Sequence, residues 1–198
     1  MTETGQADAM QLIYHRRSVR SYSADAIDRA AVERLLRAAV QAPTAMHREP
    51  WAFAIVQSKE TLQRYSDGAK AQMLSQQEML HDLSPDARAL RDRLMDPDFN
   101  IFHGAGTLVA IGYENHDAFV EADCWLAAQN LMLAATAEGL GTCCIGFALQ
   151  VLNRPNVKQE LGFPAEGGVV AAIVVGRPRV IPAGPGERKP PNVLAWLT

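Results

Sequence analysis

Three short apolar runs limit what this chain can fold into. Trp51-Ala52-Phe53-Ala54-Ile55-Val56, Thr107-Leu108-Val109-Ala110-Ile111-Gly112 and Val169-Val170-Ala171-Ala172-Ile173-Val174-Val175-Gly176 are apolar at both parities. A strand of that kind has both faces covered, which predicts three buried strands with the first of them central. Phe119 to Glu138 reads as a long helix, apolar on most sides through Trp125, Leu126, Leu131, Met132 and Leu133. Such a helix must be buried by other elements or by a second subunit. Gly139-Leu140-Gly141 stops it. The tail holds Pro178, Pro182, Pro185, Pro190 and Pro191, so it is neither helix nor central strand. It ends in apolar Val193-Leu194-Ala195-Trp196-Leu197, which predicts docking, with a partner subunit as the candidate surface.

The remaining elements follow from periodicity and caps. Met10, Ile13 and Tyr14 give a short helix from about Ala7 to Arg16. Asp28 reads as an N-cap with Ile27 and Val32 as a hydrophobic staple. Val32, Leu35, Leu36, Ala39 and Val40 form one apolar face, and Pro43 closes that helix. Pro43 to Pro50 is a loop. Lys59 to Leu94 is helix-rich with a break at Ser84-Pro85. Thr142 to Phe147 is short and extended, and Val151 to Leu161 is a weak helix interrupted at Pro155.

Composition narrows the function classes. A chain of 198 residues, 48% hydrophobic and 21% charged, fits one large domain with a real core. A net charge of −3 argues against nucleic acid as the main partner. Cys124, Cys143 and Cys144 are too few and wrongly spaced for a zinc site or a disulfide framework, so a reducing, cytoplasmic setting is expected. The N-terminal residues are polar and lack an apolar signal core, and no run is long enough for a bilayer. The expectation is a protein without metal, membrane or nucleic-acid partner.

On that mildly acidic body sits Arg16-Arg17-Ser18-Val19-Arg20. In an extended segment Arg16, Ser18 and Arg20 point the same way. On a helix Arg16 and Arg20 are i and i+4, again on one side. Either geometry gives a fork of donors suited to a phosphate. A solvated basic helix end would present the same residues.

Three further stretches stand in order with this one. They are Ala42-Pro43-Thr44-Ala45-Met46-His47-Arg48-Glu49-Pro50-Trp51, Glu138-Gly139-Leu140-Gly141-Thr142-Cys143-Cys144-Ile145-Gly146, and Gly176-Arg177-Pro178 followed by Arg188-Lys189-Pro190. Together they resemble the FMN-dependent nitroreductase family, over about Ala7 to Trp196. The resemblance implies an α+β fold with a central, mostly antiparallel sheet wrapped by helices. It also implies an intertwined homodimer with FMN at the interface. Residues 1–198 would form a single domain, with 182–198 an arm crossing to the partner. Arg16, Arg17, Ser18 and Arg20 match the family's N-terminal FMN motif, and Arg188 the basic residue that closes on the phosphate. Pro43, Thr44 and Ala45 match the loop lying along the flavin, commonly from the other subunit. Cys143, Cys144, Ile145 and Gly146 match the segment whose backbone lies at the N5 side. His47 and Glu49 stand where the family usually has Asn and Gln.

The activity implied is transfer of electrons from NADH or NADPH through FMN N5 to a small electron-poor acceptor, a nitroaromatic or quinone, by a ping-pong route. No catalytic side chain is required, because the cofactor carries the chemistry. Two alternatives stay open: reductive dehalogenation or flavin breakdown on the same fold, and a flavin-binding protein without turnover. Among individual residues, Met46 and Trp51 read as core, His47 as loop-structuring, His103 as capping or packing, and Lys70 as solvated. Cys143 and Cys144 follow the C-terminal end of a helix, whose partial negative charge disfavours a thiolate.

Overall fold

The computed structural model describes residues 9–80, 84–184 and 188–198, with backbone only for 76–80. The elements run α1 (Ala9–His15), α2 (Arg29–Ala39), β1 (Trp51–Val56), α3 (Lys59–Leu80), α4 (Pro85–Met95), β2 (Thr107–Tyr113) and α5 (Val120–Ala137). They continue with β3 (Gly141–Cys144), α6 (Leu149–Leu152), α7 (Pro155–Glu160) and β4 (Gly168–Gly176). The four strands form one antiparallel sheet in the order β1-β2-β4-β3. The break expected at Ser84-Pro85 is the N-terminus of α4, where the Ser84 hydroxyl accepts from the Ala87 N–H. Asp28 caps α2 through the Ala31 N–H at 2.7 Å, and the stapling residues Ile27 and Val32 are buried.

The sheet is covered on both faces, which is why its strands are apolar at both parities. On one face Leu108, Ala110 and Val174 pack with Tyr65, Phe102, Leu152 and Val157. On the other, Val109, Ile111, Ile173 and Val175 pack with Leu35 of α2 and Leu131 and Ala128 of α5. β4 is buried along its whole length. A bulge at Ile111/Gly112 brings Gly112 so close to β4 that a Cβ there would meet the Gly168 carbonyl oxygen at 2.0 Å.

One expectation changes and a second is narrowed. β1 was predicted central and is an edge strand. Apolar side chains at both parities report covered faces, and covered faces do not require a neighbour on each side. α5 was predicted apolar on most sides and buried by other elements or by a second subunit. It buries Val120, Cys124, Ala127, Ala128, Leu131 and Ala135 within the chain, while Trp125 stays 43% and Leu126 44% exposed. No helix among the described residues is long and apolar enough to cross a membrane.

Candidate functional site

The arginine segment lies against the outer edge of β3. Ser18 forms a parallel bridge with Thr142, and the Val19 N–H donates to the Thr142 carbonyl at 2.9 Å. Gly141 permits this approach, because a Cβ there would stand 2.8 Å from Val19 Cγ2. The strap is then held at its far end. Tyr22 donates its hydroxyl to the Val19 carbonyl, the Ser23 N–H bonds the Arg177 carbonyl, and the Arg179 N–H bonds the Ser21 carbonyl. Tyr22 pairs with Pro178 in an antiparallel bridge.

Extended geometry sorts the motif by side. Val19 turns inward and is buried. Arg16, Ser18 and Arg20 share one influence: burial pushes the Cys143 thiol up, and the charges of Arg20 and Arg16 and a hydrogen bond from Ser18 oppose the rise. Arg17 is committed elsewhere. Its guanidinium bonds the carbonyls of Gly184 at 2.8 Å, Tyr14 at 2.6 Å and Arg16 at 2.8 Å, anchoring the start of the C-terminal arm.

Beyond Cys143 the β3 edge opens. The Ile145 N–H bonds back to the Ala172 carbonyl on β4. Hydrogen bonds alternate sides along an antiparallel strand, so the Cys144 N–H faces the outer edge. A Cβ on Gly146 would meet nothing within 4 Å. Cys144 is exposed as a residue, but its sulfur sits 3.7 Å from Met132 Sδ, and burial also pushes this thiol up. Burial dominates both shifts; the helix terminus invoked from sequence is not needed.

The Pro43–Ala45 loop stands apart from this cluster. It leads into β1, while the arginine segment flanks β3, and these are opposite edges of the sheet. Three strand spacings put them about 14 Å apart. The loop is tied to the N-terminal turn of α5: the Ala45 N–H approaches both Asp123 carboxylate oxygens at 3.3 Å, and Arg48 pairs with Asp117 at 2.8 Å. Asp117 in turn accepts from the Phe119 and Val120 N–H groups. Met46, His47 and Glu49 all have left-handed backbone, with φ of 55°, 54° and 47°. That turn throws Met46 outward to 79% exposure, against the core role expected for it. Trp51 packs at the margin of the α2–α5 core. Arg188 is exposed, four residues past the Gly184 anchor, a span of at most about 14 Å.

Two residues passed over in the sequence gain roles. Lys70, expected to be solvated, is 9% exposed and donates from Nζ to the carbonyls of Asp96 and Phe99, both at 2.9 Å. It pins α3 to the loop after α4. His103 is half-buried with left-handed backbone, and burial together with Arg20 and Arg93 pushes its imidazole down to about 4. Its place before a strand was the only sequence signal, and no signal singled out Arg93.

The sequence model of the nitroreductase family matches residues 13–177. The chain belongs to the nitroreductase family. Within it, a candidate NADH dehydrogenase/NAD(P)H nitroreductase of Archaeoglobus fulgidus is 28% identical over 173 residues, covering 87% of this chain and 86% of that one. An iodotyrosine deiodinase of Haliscomenobacter hydrossis is 24% identical over 183 residues, covering 83% and 82%. A nitroreductase of Bacteroides fragilis, solved with bound FMN, superposes with a TM-score of 0.74 at 24% identity, covering 96% of this chain and 98% of the other. The α+β nitroreductase fold expected from the sequence is therefore the fold found, and the family is one of oxidoreductases.

Proposed function

We propose that this nitroreductase-family chain is an FMN-dependent NAD(P)H oxidoreductase of the cytoplasm, acting as a homodimer on nitroaromatics, quinones or similar small acceptors. The observation that carries the reading is the strap bearing Arg16, Ser18 and Arg20, held along the β3 edge by the Ser18–Thr142 bridge, beside the outward Cys144 N–H and the open space over Gly146. These donors fit FMN. Two guanidiniums and a hydroxyl suit its phosphate, ribityl chain and pyrimidine edge, and an outward backbone N–H suits N5. When bound, FMN accepts hydride at N5 and passes the electrons on.

The chain's own part is to bind, orient and bias. Arg16, Ser18 and Arg188 hold the phosphate. Arg20, further along the same side, lays positive charge toward the pyrimidine edge, where reduction concentrates negative charge. Arg17 serves the site indirectly by fixing the arm that brings Arg188 near. Ile145 holds the strand in register so that the Cys144 N–H stays outward. The thiols of Cys143 and Cys144 take no part, since both are pushed away from thiolate.

The reading calls for two subunits because Pro43, Thr44 and Ala45 lie at the wrong edge of the sheet to meet Arg16 in one chain. A second copy supplies that loop. Exposed Trp125 and an arm whose Leu194 and Trp196 are 89% and 82% exposed supply apolar surface a dimer would bury, and the β1 edge, unpaired among the described residues, offers backbone hydrogen bonds. The unit so formed is one domain per chain, with 182–198 as the crossing arm. The iodotyrosine deiodinase relative supports reductive dehalogenation as a second reading.

The test is spectroscopic. Purified protein should be yellow, bleach anaerobically with NADH or NADPH, and recover colour with a quinone or nitroaromatic. Recovery with a halogenated phenol alone favours the second reading. A colourless protein that does not take up FMN sinks both. Arg20→Ala should weaken FMN binding about tenfold or more, as loss of a charge-assisted contact of roughly 1.5–3 kcal/mol implies.

A further inference from the structure

A cleft of about 430 Å³ opens beside the strap, lined by Arg20, Tyr22, Arg93, Phe99, His103 and Arg179 among others. Its three guanidiniums come from separate parts of the chain: the strap, the last turn of α4, and the segment just past β4. Among the described residues none of the three forms an ion pair with a carboxylate. Asp98 is the single carboxylate on the rim. All three are exposed and their guanidiniums are not spent on carboxylates, so an oxyanion entering the cleft meets three positive charges.

One of the three charges is seated on an aromatic ring. The Arg93 guanidinium lies 4.5 Å over the Phe99 ring, and the Phe99 and His103 ring centroids are 6.2 Å apart. Lys70 grips the Phe99 carbonyl from beneath. His103 and Gly104 take consecutive left-handed conformations, with φ of 57° and 72°, which sets the imidazole at the cleft wall. Arg20 belongs to both places, since it lines this cleft and directly follows Val19, whose N–H bonds the Thr142 carbonyl of β3. The cleft therefore adjoins the β3 edge.

We infer that this cleft is an oxyanion subsite next to the flavin site, receiving the phosphate or carboxylate of a molecule that exchanges electrons there. The inference rests on the flavin reading above. Two sources carry such a group: the 2′-phosphate that distinguishes NADPH from NADH, and the carboxylate of an acidic acceptor.

The test uses FMN-loaded protein and inorganic sulfate as probe, at constant ionic strength, with the His103 ring followed by NMR. In the free protein burial, Arg20 and Arg93 hold His103 down to about 4. A bound oxyanion between those charges favours the imidazolium, so saturating sulfate should raise the pKa by about 1 unit or more. In Arg93→Gln the starting value rises, because one repelling charge is gone, and the sulfate dependence should vanish. A His103 titration indifferent to sulfate in the loaded protein overturns the subsite. The source is then read from kcat/KM for NADPH against NADH and for 4-nitrobenzoate against nitrobenzene. Arg93→Gln should lower the anionic member of one pair about tenfold and spare its counterpart. Equal effects on both members of both pairs overturn the co-substrate role. Protein that neither nucleotide bleaches counts against the functional reading instead, because the His103 titration needs no turnover.

Discussion

Val19 Cγ2 lies 2.8 Å from the point where a Cβ on Gly141 would stand, while the Val19 N–H bonds the Thr142 carbonyl next door. The position of the whole arginine segment depends on that missing atom. Gly141→Ala should push the strap off β3 and weaken FMN binding, with a stability cost of about 1–3 kcal/mol for overpacking. The crowding atoms are Val19 Cγ2, Cβ and Cγ1, so Val19→Gly in the same chain removes all three and should restore part of the flavin affinity. Flavin titration of the single and double variants checks it. Equal flavin loss with and without Val19→Gly would show that the crowding is not what places the arginines.

Arg17 separates arm anchoring from anion binding. Its guanidinium is spent on three carbonyls, including that of Gly184. Arg17→Met should free the arm, so limited proteolysis between Val180 and Gly184 should speed up several-fold. Flavin affinity should fall less than in Arg20→Ala. A variant with unchanged proteolysis and a larger flavin defect than Arg20→Ala would place Arg17 on the phosphate itself.

Much of this was readable before any coordinates. The three strands, the Asp28 cap, the stop at Gly139 and the same-side placement of Arg16, Ser18 and Arg20 follow from parity, capping and strand alternation, all local properties. What stayed hidden depends on distant residues. β1 reads as central because parity reports covered faces and says nothing of neighbours. Met46 reads as core because left-handed backbone at Met46 and His47, without glycine, leaves no sequence mark. Lys70 reads as solvated because its carbonyl partners lie 26 and 29 residues away. The Arg20–Arg93–His103 cleft draws on segments that only the fold brings together.

The vicinal thiols give a chemical prediction. Burial raises both Cys143 and Cys144, so thiolate is scarce at pH 7 and grows only as pH rises past the ordinary thiol range. Alkylation by iodoacetamide should be slow at pH 7 and should accelerate above pH 9. The Cys143→Ala, Cys144→Ala double variant should keep its flavin and at least half of its NAD(P)H-dependent turnover. Collapse of turnover with flavin content intact would mean that a thiol carries part of the chemistry.

His103 links the cleft to pH-dependent stability. Its value falls from an ordinary 6.5 to about 4, first through burial and then through Arg20 and Arg93. Between those values the unfolded chain binds a proton that the folded chain refuses. Stability therefore rises with pH across this window, and the contribution is lost as pH falls from about 6.5 toward 4. His103→Asn tests this directly. Asn tolerates the left-handed backbone at φ 57° and cannot titrate. Urea unfolding at pH 7 and pH 5 should show a smaller drop in midpoint for the variant than for the parent chain. Carboxylates contribute to both proteins alike and cancel in that difference. An identical drop would show that His103 is as free to take up a proton in the folded chain as in the unfolded one.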